Sequence, residues 1–316
     1  MMRIPSGSRR AFLAAGAAFA AAPNIASGQT LTKLSVGTSA IDGAMGLYAG
    51  YRAGIFRKYG IDLDINLGSG ASNSAAVAGG SLQLAGSNIV TLVKAHLKDV
   101  PFKLVAFGAL YRNDNPTQVL TVRTDAPFHT AADLNGKTIG VTALGDLLSA
   151  STLAWIDQNG GTSNTVKLVE LPPAGMAAAL VAGRIDAASF AEPYLSTAIR
   201  AGSVRVFANI FEAIAPRFLV SGYVGMPDFI NANRDLVKRF QRAQLEGNAF
   251  ANAHPDQTAP WLAEFAKVDL AVVKGSRREV FAESMDPAFV QVEINALVRL
   301  KLIDRGFDVH DMIATV

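Results

Sequence analysis

The chain has 316 residues, 50% of them hydrophobic and 17% charged, with a formal net charge of +3 and no cysteine. That apolar content excludes global disorder, the length fits about two domains of roughly 100–200 residues, and the missing cysteine excludes disulfides, Cys-bound metal centres and a thiol nucleophile. The positive charge is local: Arg3, Arg9 and Arg10 lie in the first 28 residues with no acid, and without them 26 bases face 26 acids, which speaks against a nucleic-acid partner.

Residues 1–28 read as an export signal, with a basic start, an uncharged Ala-rich run over residues 11–22, then Pro23. The run is too short to cross a bilayer core of about 30 Å as a helix. Ala26 and Gly28 are the small residues expected before a cleavage at Gln29. Ser8-Arg9-Arg10-Ala11-Phe12-Leu13 is similar to the twin-arginine export motif, with Ala14 where a Lys usually follows. No later stretch is apolar for 18 residues, so the mature protein is expected in the bacterial periplasm.

A strand opens at Val36 and ends in the polar loop 37–42. A helix carrying Ala44, Leu47, Tyr48 and Tyr51 follows and closes near Gly54. Residues 61–67 alternate apolar and polar, the period of a half-buried strand. The Gly/Ser loop 68–72 leads into a small-residue helix ending at Ala78, followed by a strand over 82–85, a helix over 88–97 and a strand over 103–107. The pattern then repeats: strand 138–141, polar loop 142–146, helix 147–158, strand 166–171, helix 174–182, strand 187–190 and helix 194–200. Ala75-Ala76-Val77-Ala78-Gly79 matches Ala179-Leu180-Val181-Ala182-Gly183 at an offset of 104 (75 to 179). Alternating strands and helices define an α/β class. Two such units facing each other form a cleft at their strand ends, where open α/β sheets bind ligands. The β-rich runs 118–123 and 218–224 are the candidate hinges. The remainder is helical, with a long segment from Asn233 that breaks at His254-Pro255.

Enzymatic motifs are missing. Gly68-Ser69-Gly70-Ala71-Ser72-Asn73 is a truncated dinucleotide fingerprint with Asn at the third glycine position, and no ribose-binding acid follows. His96, His129, His254 and His310 have no second His at metal-ligand spacing, so neither a metal nor another cofactor is expected. No nucleophile has a base beside it. Ser69, Ser72 and Asn73 at a helix start instead offer hydroxyl, amide and backbone N–H groups to a polar ligand, and Ser72 also suits a helix cap.

Five stretches carry a family likeness in order: GLYAGYRAGIFRKYGIDLDI from residue 46, GSGASNSAAVAGGSLQLAGSN from 68, DLNGKTIGV from 133, LVAGRIDAASFAEPY from 180 and DPAFVQVEINALVRLKLID from 286. On these the chain resembles the periplasmic substrate-binding proteins of ABC importers of the nitrate/sulfonate/taurine type, which include binders of thiamine-pyrimidine precursors. The resemblance implies a type II periplasmic-binding-protein fold: two α/β lobes joined by two crossing strands, with a ligand cleft between. The first lobe would comprise 29–118 and 224–316, the second 119–223. One cleft wall would carry Thr38, Ser39, Asp42, Ser69, Ser72, Asn73, Ser87 and Asn88, the other Thr142, Asp146, Phe190, Glu192 and Tyr194. Glu192-Pro193 matches a frequent family element, and Glu192 serves either as a helix cap or as a ligand contact. The loop 143–148 departs from the Ser/His-containing version of sulfonate binders.

The function implied is that of a monomeric, non-enzymatic receptor passing a small polar molecule to an inner-membrane ABC permease. Rival readings are an enzyme like the pyrimidine-precursor synthases of this fold, and a sensor or solute chaperone for another membrane protein. Asp42, Asp146 and Glu192 in loops without Lys or Arg favour a neutral or amine-bearing ligand, one stacked on Tyr194 or Phe190, unless Arg112 or Arg217 supplies a positive partner. Replacing both Arg9 and Arg10 with Lys preserves charge and is expected to hold the precursor in the cytoplasm. Normal accumulation of that variant in a periplasmic fraction would instead indicate the general secretory route.

Overall fold

Strands and helices alternate from residue 32 onward in the computed structural model, which describes residues 31–316. The export segment expected over residues 1–28 lies outside the described residues. The first unit runs β1 (Thr32–Thr38), α1 (Met45–Arg52), α2 (Ile55–Lys58), β2 (Ile61–Leu67), α3 (Gly70–Ala78), β3 (Leu84–Asn88), α4 (Ile89–His96), β4 (Lys103–Phe107) and β5 (Ala109–Arg112). In β2, Ile61 and Leu63 are buried while Asp62 and Asp64 are partly exposed, as the two-residue period requires. The helix expected to close near Gly54 is α1, which ends at Arg52; Gly54 then takes a left-handed φ of +75° that turns the chain into the short helix α2. Strand β3 starts at Leu84 rather than Leu82 because Ser81 and Leu82 both donate their N–H to the Ala76 carbonyl, wrapping the end of α3.

The second unit comprises β6 (Gln118–Arg123), β7 (Thr138–Val141), α5 (Leu147–Gln158), β8 (Lys167–Glu170), α6 (Pro173–Val181), β9 (Ala187–Ala191), α7 (Tyr194–Arg200) and β10 (Val204–Ala208). Next come β11 (Arg217–Leu219), β12 (Ser221–Gly225), α8 (Pro227–Ala232), α9 (Arg234–Ala253), α10 (Pro255–Ala266), α11 (Leu270–Gly275), β13 (Val280–Phe281) and α12 (Ala288–Arg299). One five-stranded sheet has the order β2-β1-β3-β12-β4 and the other β8-β7-β9-β6-β10, so the two share one topology. In each, the first three strands are parallel and the fourth is antiparallel. A three-stranded sheet, β11-β5-β13, runs between them. The hinge expectation is therefore shifted: residues 118–123 sit inside the second sheet, and 218–224 divides between β11 and β12. The linking strands include β5 and a third strand, β13, from the helical C-terminal region.

The internal repeat is real at an offset of 103 rather than 104. Strand pairing Val36–Leu84 recurs as Ile139–Ala187, and left-handed Gly80 (φ +76°) recurs as Gly183 (φ +68°). A polar staple recurs as well. Ser35 N–H donates to Gln83 Oε1 at 2.8 Å while Gln83 N–H returns to the Ser35 carbonyl; Thr138 N–H donates to Asp186 Oδ2 at 2.9 Å while Asp186 N–H returns to Thr138. An Ala/Val run slips by one residue without changing its look, whereas these bonds admit one register.

Helix α9 presents buried Leu236, Val237, Phe240, Ala243, Gly247 and Ala251 on one side. Phe240 is fully buried between Phe56 and Tyr223, each 5.7 Å away by ring centroid, and burying such a ring is worth about 1.5–3 kcal/mol. The crossing with α1 is close: a Cβ on Gly247 would stand 2.4 Å from the Gly46 carbonyl oxygen and 3.2 Å from Gly50 Cα. Both obstacles are backbone, so neither can rotate away. Gly247→Ala should therefore destabilise by about 1–3 kcal/mol of overpacking, outweighing the roughly 0.5–1 kcal/mol that Ala normally adds to a helix. A lower urea midpoint at unchanged m-value checks this.

Candidate ligand-binding site

The parallel strands of each sheet end in loops, and the loops of the two sheets meet. Asp42 N–H, beyond β1, donates to the Glu192 carbonyl beyond β9 at 3.2 Å. Lys94 Nζ, on α4, donates to the Gly145 carbonyl in the loop after β7 at 2.7 Å. These contacts bring residues 38–42 against 190–194, and α4 against 142–146.

On the first wall most of the expected side chains hold the wall itself. Thr38 is buried, and its carbonyl accepts from Gly68 N–H at 2.9 Å and Asn73 Nδ2 at 3.2 Å. Ser39 Oγ donates to the Gly68 carbonyl at 2.8 Å, so the β1 and β2 ends are stitched together. Ser69 caps α3 by accepting from Ser72 N–H at 3.1 Å, and Ser72 Oγ donates back to the Ser69 carbonyl at 3.0 Å. Asn88 caps α4 by accepting from Thr91 N–H at 2.9 Å. Such caps satisfy helix N–H groups that would otherwise be orphaned. Ser87 differs: among the described residues its buried Oγ has no partner, and a Cβ on Gly70 would lie 3.8 Å from it. The absent side chain at Gly70 thus leaves the first turn of α3 facing an unused hydroxyl.

The second wall is built alike. Asp146 accepts from Thr142 Oγ1 and from Ser149 N–H, both at 2.9 Å, and caps α5. Burial raises its pKa against those bonds and against the nearby Lys94 charge, and burial lowers that of Lys94. Glu192 is buried and accepts from Ser196 N–H at 3.1 Å and Ser196 Oγ at 2.9 Å. Its pKa is pushed up to about 7, first by burial. Phe190 lies in the second unit's core beside Met176, Leu180 and Leu195, and the Tyr194 hydroxyl reaches the Ala266 carbonyl at 3.3 Å.

Asp42 is fully buried and ion-paired. Arg278 Nη2 lies 2.9 Å from Oδ1, Arg278 Nε lies 3.1 Å from both oxygens, and Glu279 N–H donates to Oδ2 at 2.8 Å. Burial raises the Asp42 pKa, and Arg278 pulls it back. Nothing local in the sequence could have paired residues 236 positions apart. Arg112 and Arg217, the cations expected near the crossings, are engaged elsewhere: Arg112 Nε with Asp114 at 3.0 Å, and Arg217 over the Phe289 ring at 4.7 Å. Lys94, Arg278 and Glu279 are the groups missed, and Lys94 alone carried a signal, two turns along the helix that starts at Asn88.

A separate hollow of about 480 Å³ lies at the far ends of α4 and β4, lined by His96, Lys103, Arg305 and Phe307 among others, and shares no residue with the loops. Among the described residues no group of three or more His, Asp or Glu could hold a metal ion, and no helix is long and apolar enough to cross a membrane.

Paired five-stranded lobes with facing strand ends define the periplasmic-binding-protein fold. The chain shares it with the alkanesulfonate-binding protein SsuA from Xanthomonas axonopodis pv. citri bound to MOPS (TM-score 0.74, 17% identity, 89% of this chain and 98% of that one). It shares it also with the periplasmic nitrate-binding protein NrtA from Synechocystis PCC 6803 (TM-score 0.73, 16% identity, 88% and 84%). The NMT1/THI5 like family matches residues 43–258, and the chain belongs to it. A Brucella abortus (strain 2308) relative, named only as a binding protein, is 27% identical over 233 residues, covering 69% of this chain and 66% of its own length, just short of two thirds.

Breaking a buried ion pair by removing one partner costs about 3–5 kcal/mol, because the other charge stays buried. Arg278 is 16% exposed, so Asp42→Ala should fall near the lower end. Chemical denaturation checks this, and a loss below about 1 kcal/mol, the value of a surface pair, would show that Arg278 reaches water.

Proposed function

We propose that this protein is a periplasmic solute receptor that closes on a small polar organic molecule and delivers it to an ABC permease. The observation that carries the reading is the meeting of strand-end loops from two sheets of one topology, tied by Asp42–Glu192 and Lys94–Gly145 and linked by a small sheet able to act as a hinge. The lobes would be 29–118 with 224–316, and 119–223. The twin-arginine-like segment would export a monomer, and no covalent step is required.

The ligand-facing candidates are Ser69, Ser72 and Ser87 with the first-turn N–H groups of α3. Asp42 is neutralised by Arg278, and Asp146 is engaged in capping, so neither supports an amine preference. Hydroxyl and N–H donors suit an oxygen-bearing acceptor group on a neutral or weakly anionic molecule. Burial of Phe190 and the Tyr194–Ala266 bond leave little support for stacking on either ring.

The test is native mass spectrometry of protein from the host periplasm, followed by thermal shift with the released compound. Ligand at about 100 times its Kd should stabilise by about 2.7 kcal/mol. Stoichiometric binding with a smaller radius of gyration supports the receptor. Turnover of the compound would support the enzyme reading, and binding without any change in radius would defeat closure.

A further inference from the structure

The base of the cleft holds a second set of groups that the ligand reading does not use. Glu279 is buried in the segment entering β13, and Gln118 Nε2, at the start of β6, donates to its Oε1 at 3.2 Å. That bond joins the second sheet to the returning C-terminal segment. Glu279 N–H holds Asp42, and Asp42 N–H holds the Glu192 carbonyl, so one residue is linked to both sides of the cleft.

We propose that Glu279 is a positioning residue for lobe closure, a proton-sensitive latch that holds the lobes together while it is neutral and loosens when it ionises. The receptor reading is used only for the premise that the lobes move. Facing Glu279 are Asp42 from the β1 loop, Glu192 from the end of β9, and Thr117 and Gln118 at the start of β6. Of the neighbouring cations, Arg278 is paired with Asp42, and Arg277, whose charge acts on Glu192, donates Nη1 to the Pro116 carbonyl at 3.3 Å. Ionised Glu279 would thus meet two carboxylates with no cation in contact, and burial and the Asp42 charge outweigh what the Thr117 and Gln118 hydrogen bonds return. Parting the Asp42–Glu192 contact would admit water and relieve that.

Burial first, then the charge of Asp42, push the Glu279 pKa up to about 8 from an ordinary 4.5. An acid that binds its proton more tightly in one arrangement favours that arrangement at low pH. Its contribution to the closed, folded form is full below the ordinary value and is lost as pH rises toward about 8. Closure should therefore weaken as pH rises from about 4.5 toward about 8, with the upper part of that loss falling between pH 6 and pH 9.

The chain has no cysteine, so Ser81→Cys and Arg184→Cys, exposed equivalents on the two lobes, accept one spin label each. Interlobe distances in ligand-free protein should shift toward the open form from pH 6 to pH 9. The open-to-closed ratio should change about tenfold for each unit by which the Glu279 pKa in the closed arrangement lies above pH 6 or above its open value, whichever is higher. Glu279→Gln, checked for folding by circular dichroism, should abolish the shift, and Glu192→Gln should leave a shift in place. An unshifted wild type, or a Glu279→Gln variant that shifts like wild type, would overturn the proposal. If Glu279→Gln does not fold, Gln118→Leu should be more open at pH 6, and a wild-type distance there would also overturn it. Because no ligand enters the measurement, failure of the latch leaves the receptor reading standing, and failure of the receptor reading leaves the latch measurable.

Discussion

The Asp42–Arg278 ion pair is the constraint around which the two lobes are arranged. A carboxylate with no solvent exposure needs a counter-charge and hydrogen bonds, and Arg278 and Glu279 N–H supply both. Meeting that need fixes the β1 loop against the segment that leads into β13. Arg278 Nη1 also reaches the Pro255 carbonyl at 2.9 Å, which draws in the α9–α10 junction. Three chain regions far apart in sequence converge on one guanidinium, and the Asp42 backbone is then presented to Glu192 across the cleft.

The rest of the cleft follows an economical rule. Each wall spends its polar side chains on caps and loop staples: Ser69, Asn88, Asp146 and Glu192 all accept N–H bonds at or near helix starts. Loops held this way are preformed, so little conformational freedom remains in either wall. Ser87 is an exception, since among the described residues its buried hydroxyl has no partner. On the receptor reading proposed above, an unsatisfied buried hydroxyl beside a glycine gap is a place where an acceptor atom would be welcome.

The lobes also show what duplication of one topology leaves behind. The staples Ser35–Gln83 and Thr138–Asp186 occupy equivalent places with different residues, and left-handed glycines close both small-residue helices. Elsewhere the units have diverged: Asn73, which braces the first wall, corresponds to buried Met176 in the second unit. Hydrogen bonds within the scaffold persist because an unpaired N–H is costly in either lobe.

Periodicity and turn chemistry in the amino-acid sequence determined most of the elements. The alternation of residues 61–67, the helix 147–158, and the break at His254-Pro255 all stand where local propensity puts them. Those signals are short-range, and the backbone obeys them because each is satisfied within a few residues. The helix caps at Asn88 and Asp146 were legible as polar residues at helix starts, although the N–H groups they accept from were not. Tertiary structure alone decided the pairing of Asp42 with Arg278, the reach of Lys94 to Gly145, the three-stranded link through β13 and the one-residue register of the repeat. Each depends on groups separated by at least 51 residues or on hydrogen bonds between neighbouring strands. Such contacts leave no periodic trace, because their energy comes from burial and charge that exist only once the chain has closed on itself.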